Sequence, residues 1–265
     1  MVMCLALLAA CSKGGEGDQS GQTGTQKPDD GAAKKAPPKP TGPVGKVSAK
    51  ISFAGEAPEM KPLKRGSDAF CARTKVNQET VVLGKDGKTL QNVVVRIKPG
   101  TVKGPLPAEP VVVTQSACMY RPRVMGGMVG QTLEIRNADE TFHNIHGRHR
   151  RLGQLAGKDT IFNKGQPAKG PVLRQKLPRM EILELKCDVH GWMKGFVVLS
   201  DHPYSSVTDE SGTAVLENVP VGEYEIEAWH ELYGVKTAKV RVEEGATAEL
   251  ELGYDAATDT PQPIP

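Results

Sequence analysis

The chain has 265 residues, long enough for one or two domains with proper cores, and it is rich in Gly (29) and Pro (20) but only 5% aromatic. That balance speaks against long helices and for short strands joined by turns. A net charge of +3 identifies no partner by itself, but the charge is unevenly spread: Thr141–Arg179 carries nine Lys/Arg against the single acid Asp159, and Asp201–Asp255 carries thirteen acids against Lys236, Lys239 and Arg241. Such a field orients partners during encounter, and nothing in it goes beyond ordinary basic residues toward nucleic-acid binding.

Residues 1–10 are apolar, uncharged and too short to span a bilayer, as in a signal peptide. They end in Leu8-Ala9-Ala10-Cys11, which resembles the bacterial lipobox; the resemblance implies cleavage that leaves Cys11 as a lipid-modified N-terminus, although the usual positive start is missing. Residues 11–43 are Gly/Ser/Gln-rich and then Lys/Pro-rich, the composition of a disordered tether. The expectation is an exported lipoprotein, periplasmic or at the cell surface, held to a membrane by its lipid. Cys71, Cys118 and Cys187 then remain, and an oxidising compartment should pair its thiols unless a metal claims one.

From residue 44 the pattern alternates with period two. Val47, Ala49, Ile51 and Phe53 share one face, and Val93, Val95 and Ile97 share another. Leu133 and Ile135 follow, then Leu183 and Leu185, whose parity places Cys187 on the inward face. Phe196–Leu199 is a short apolar run. Met60–Lys75 has room for a helical turn at most. After Asp201 a hairpin is expected with its turn at Asp209–Gly212, followed by a turn at Asn218–Gly222 and strands carrying Tyr224, Ile226 and Ala228, then Ala238, Val240 and Val242, then Ala248, Leu250 and Leu252. This last region resembles the carboxypeptidase regulatory-like, prealbumin-type sandwich through Asp-Glu-Ser-Gly…Asn-Val-Pro-Val-Gly-Glu-Tyr, which implies a structural or adhesive module.

The chemistry gathers at Cys187-Asp188-Val189-His190-Gly191-Trp192-Met193, where thiol, imidazole and thioether fall within seven residues after an inward-facing strand. Soft sulfur with imidazole selects copper over hard cations, and a trigonal His₂Cys set with a weak axial Met suits both copper oxidation states. The second imidazole must come from elsewhere, and Thr141-Phe142-His143-Asn144-Ile145-His146 is the obvious source, with His143 and His146 both open. Taken singly, each residue has an ordinary explanation as core or loop; the case is the set.

His143-Asn144-Ile145 and Cys187-x-x-His190-x-x-Met193 together resemble the cupredoxins, the family of plastocyanin and amicyanin, over roughly residues 131–200. The resemblance implies a Greek-key β-sandwich holding one Cu(I)/Cu(II) ion through His143, Cys187 and His190 with Met193 axial, Asn144 tying the two ligand loops together, and His190 as the electron port in an exposed loop. If Cys187 binds metal, Cys71 and Cys118 are the natural disulfide pair. The expected organisation is all-β: signal peptide 1–10, lipidated Cys11 and linker 11–43, copper domain with N-terminal extension 44–200, a second smaller sandwich 201–253 and a tail 254–265.

With four protein ligands no position is left for substrate, which favours single-electron carriage over catalysis. The partner is then a redox protein, such as a cytochrome, and the basic segment Arg148–Arg179 could dock an acidic one. Copper storage or chaperoning with the same ligands, and a lipid-tethered adhesion protein with an empty site, are the alternatives. His149 reads as solvated, His202 as the start of a linker, and His230 as a packed edge residue. The Met125-Gly-Gly-Met128 run reads as a turn sooner than a copper-loading site. Trp192 is open between shielding the ion, docking and plain packing.

Overall fold

The computed structural model describes residues 42–154 and 156–259; the signal-peptide, Cys11 and tether readings lie outside the described residues. The protein is all-β, with sixteen strands in four sheets and one 3₁₀ turn, Cys71–Arg73, among the described residues.

Two sheets form the sandwich that carries the candidate ligands. One holds β3 (Val111–Ser116), β4 (Met119–Arg121), β6 (Thr132–Asn137) and β9 (Leu173–Lys176), in the order β4-β3-β6-β9. The other runs β5-β11-β10-β7-β8, from β5 (Val124–Met128), β7 (His143–Arg150), β8 (Asp159–Gln166), β10 (Ile182–Lys186) and β11 (Lys194–Ser200). Between them lie Val113, Tyr120, Leu133, Ile135, Ile145, Leu183, Leu185, Val197 and Leu199. The alternation read from the sequence therefore points Leu133, Ile135, Leu183, Leu185 and Cys187 inward.

The remaining sheets form a second sandwich. β12 (Ser205–Val207), β2 (Val94–Ile97), β14 (Gly222–His230) and β15 (Gly234–Val242) make one, in that order. In the other, β1 (Val44–Ala54) lies between β13 (Thr213–Pro220) and β16 (Thr247–Asp255), antiparallel to the first and parallel to the second. Residues 201–253 thus do not close on themselves, because the central strand of one sheet and an inner strand of the other come from the segment assigned to the copper domain. Local alternation is the same whichever sheet a strand joins, so the boundary was invisible to it. The expected hairpin at Asp209–Gly212 is likewise a crossover: β12 pairs with β2 and β13 with β1, while the Asp209 carboxylate accepts from Ser211 N–H and Thr213 N–H to make the turn. The expected tail begins late, since Tyr254 is buried, its hydroxyl donating to Ala228 O and Gly234 O.

A third apolar layer joins the two sandwiches. Val124, Ile182, Phe196 and Val198, on the outer face of the five-stranded sheet, pack against Val94 and Trp229. This is why the Phe196–Leu199 run is apolar at every position: both faces of β11 are covered. Buried pairs Arg96–Glu227 and Arg123–Glu231 sit alongside, and Arg96 also donates to Leu199 O across the seam.

A fragment of residues 201–253 lacks β1 and β2 and should give no cooperative thermal transition by circular dichroism, whereas residues 42–259 should melt cooperatively. A folded 201–253 fragment would contradict the strand exchange.

Candidate metal centre

Three donors meet at one end of the first sandwich. His143 opens β7, Cys187 directly follows β10, and His190 lies on the loop that returns to β11. His143 Nδ1 is 2.9 Å from His190 Nδ1, His190 Nδ1 is 3.8 Å from Cys187 Sγ, and one ligand atom from each of the three residues lies within 4.8 Å of the others. All three are buried, as is Met193, which belongs to the same apolar cluster as Cys187. The loop is compact because Met193 N–H donates to His190 O, and His190 N–H points at Cys187 Sγ.

The strands that carry these donors are tied in two places. Asn144 N–H approaches Cys187 Sγ at 3.5 Å, and Asn144 Oδ1 accepts from Asp188 N–H. The fully buried Tyr120 donates its hydroxyl to both Asn144 O and Lys186 O. Tyr120 sits on β4 of the opposite sheet, so its hydroxyl fixes the spacing of the two strands from across the core; nothing in its local sequence announces this. His146 does not share the orientation of His143. It faces away from the centre, bonding Asp188 and Thr160 Oγ1, so of the two histidines only His143 faces the other donors.

Carboxylates hold the far nitrogens of both imidazoles. His143 Nε2 lies 2.8 Å from Asp139 and His190 Nε2 lies 3.3 Å from Asp68. In the tautomer those carboxylates favour, with the proton on Nε2, each ring presents an Nδ1 lone pair to the centre. Two such lone pairs at 2.9 Å repel unless a proton or a metal cation lies between them. Burial disfavours a charged His143, but Asp139 and Cys187 outweigh it and hold the imidazole above its ordinary value. For His190, burial and then the charge of His143 push it down. Burial also opposes ionisation of Cys187, yet hydrogen bonds from His143 and from backbone N–H groups hold the thiol below its usual range. One soft thiolate and two aimed imidazoles, with a thioether in the same buried cluster, are a donor set that fits copper.

Asp139 has a second task. Ala117 and Cys118, the central residues of the β3–β4 turn, both have positive φ, 51° and 54°. Non-glycine residues pay roughly 1–2 kcal/mol each for that conformation. The carboxylate of Asp139 offsets it by accepting from both N–H groups. Cys118 is then placed to bond Cys71, a link that closes a separation of 47 residues and stabilises by about 4 kcal/mol in the chain-entropy account.

That disulfide pins a strap, residues 61–78, over the centre. Arg65 donates to Thr74 O and Ala117 O, Asp68 accepts from Cys71 N–H and Thr141 Oγ1, and Cys71 Sγ lies 3.8 Å from His190 Nε2. His190 is in consequence only 2% exposed. The expectation of an exposed His190 edge fails, because a minimal sandwich has no such strap. His202 and His149 also differ from expectation, and His230 does not. His202 is fully buried, bonded to Ile97 O and Tyr204 N–H, and His149 is half-buried with Nε2 unpartnered. His230 is packed, with its Nδ1 accepting from Leu232 and Tyr233 N–H, and burial lowers it to about 3. Met125 packs in the core beside β11.

No protein-family model matches the chain, and no curated protein matches it. Among solved structures, a Cu(I) form of an amicyanin point mutant aligns at 17% identity, covering 40% of this chain and 98% of that one, with a TM-score of 0.29. A purple cupredoxin from Nitrosopumilus maritimus aligns at 21% identity over 34% of this chain and 99% of its own, with a TM-score of 0.28. A copper-containing nitrite reductase from Thermus scotoductus SA-01 aligns at 21% identity over 38% of this chain and 25% of its own, with a TM-score of 0.29. Likenesses this slight carry no weight beside the donor geometry.

Asp139→Ala strands two N–H groups and one imidazole in the interior and should destabilise the protein by about 3 kcal/mol in urea unfolding. Burial raises the Asp139 carboxyl, but His143 and the two N–H groups win and lower it overall. Its contribution is therefore present above the unfolded value of about 4 and lost as pH falls through the folded one. The gap between wild type and variant should close in acid; a gap unchanged down to about pH 2 would contradict this.

Proposed function

We propose that this chain would bind one copper ion through His143 Nδ1, His190 Nδ1 and Cys187 Sγ, with the Met193 thioether as a further donor, and carry single electrons. The observation that carries the reading is the meeting of two imidazole Nδ1 atoms, 2.9 Å apart, with the Cys187 sulfur at one buried point. Bound there, copper would cycle between Cu(I) and Cu(II) at little ligand rearrangement. The protein's part is to fix the donors in advance: Asp139 and Asp68 orient the imidazoles, Asn144 and Tyr120 lock the strands, and the strap excludes water. All four donors are buried, which supports a carrier over an enzyme.

The reading extends to the cell. Cleavage at Cys11 would leave a lipid anchor on an exported protein, with a redox protein as partner. The sealed pocket also favours a second reading, copper storage, since His190 is closed to solvent. Wild-type protein loaded with Cu(II) should take up one equivalent, show an intense visible sulfur-to-copper band and cycle reversibly; Cys187→Ala should lose the band. One equivalent bound without reversible cycling would favour storage, and no uptake would overturn both.

Copper affinity should also depend on pH. Ligand nitrogens must be deprotonated, and His143 is held above its ordinary value, so proton competition begins above about pH 6.5. Competition titrations should show affinity falling from about pH 8 to about pH 6; a flat profile would contradict the role of His143.

A further inference from the structure

We propose that Trp192, and not the edge of a ligand histidine, conducts electrons between the buried centre and the protein surface; the inference rests on the copper reading above. An electron leaving a sealed site needs a bridge, and the ligands themselves supply none. His143, Cys187, His190 and Met193 are between 0% and 2% exposed. The outward nitrogen of His190, the atom that would meet a partner in an open site, is occupied by Asp68 and abutted by the disulfide.

Trp192 is placed to take over. Its ring lies 5.1 Å from the His190 ring, centroid to centroid, at 38°. The indole is partly exposed, so it touches both the ligand and solvent. It is also held still, because Nε1–H donates to Cys118 O at 3.1 Å in the strained turn and the Arg65 guanidinium lies 6.0 Å from its ring. Tyr120, the aromatic residue that ties the strands of His143 and Cys187 together, is fully buried and leads nowhere. In the transfer itself one electron passes to a one-electron acceptor, and no bond forms or breaks. The strap and the tryptophan are then two halves of one arrangement: one closes the usual edge, and the other opens a path beside it.

The test uses the copper-loaded chain and a small outer-sphere iron complex as oxidant in stopped flow. Trp192→Leu should keep the stoichiometry, visible band and potential of the wild type while its oxidation slows severalfold. Trp192→Phe, which keeps a ring against His190, should restore most of the rate. Equal rates for wild type and Trp192→Leu with an unchanged band would overturn the proposal. A second readout needs no change at position 192: in Trp229→Phe, copper loading should quench the remaining indole fluorescence almost completely, and unquenched emission would overturn the contact. If the wild type itself shows no sulfur-to-copper band, the copper reading has failed and the conduit falls with it; a normal band with unaltered rates removes the conduit alone.

Discussion

The arrangement of the site depends on two carboxylates gripping the far sides of two imidazoles. Asp139 and Asp68 hold the Nε2 sides of the rings, so the Nδ1 atoms point at each other and at the Cys187 sulfur. Left alone, that would be an unfavourable meeting of like partial charges in a low-dielectric interior. The surrounding structure holds it in place: Asp139 is fixed by two backbone N–H groups, and Asp68 by Cys71 N–H and Thr141. Energy spent on positioning donors during folding is not needed when a cation arrives, which is the general meaning of a preorganised site.

The same residues connect the site to the wider fold. Asp139 stabilises the turn that presents Cys118, the disulfide pins the strap, and the strap seals His190. Behind the strands that carry His143 and Cys187, Phe196 and Trp229 in the third apolar layer fasten the first sandwich to the second. Buried Arg–Glu pairs lie in that seam. Removing one partner there would leave an unpaired interior charge, a loss of roughly 3–5 kcal/mol. The second sandwich therefore has a structural task whatever else it does: it covers the outer face of the sheet that carries His143 and Cys187.

Much of this was legible in the chain. Period-two alternation located β1, β2, β6, β10 and β14 to β16, a short apolar run located β11, and the spacing of Cys187, His190 and Met193 with His143 drew attention to one end of a sandwich. The choice between His143 and His146 needed the path of β7, which turns one imidazole toward the sulfur and the other toward Asp188. What the sequence could not display is contact at long range. Asp68 lies 122 residues from His190, and Tyr120 lies 66 from Lys186. Their residue types are ordinary at those positions, and only the fold gives them a role. For the same reason β1 looked like part of the first domain: it is near it in sequence, while its partner β16 is about 200 residues away.

The central claim is that a thiolate sulfur and two imidazole nitrogens surround one ion. X-ray absorption at the copper edge on the loaded protein measures that shell directly. The account predicts one short sulfur and two imidazole nitrogens, with the imidazole scattering weakened when His143 is replaced by Ala. A shell of light oxygen and nitrogen donors without sulfur, or one indifferent to His143, would contradict it.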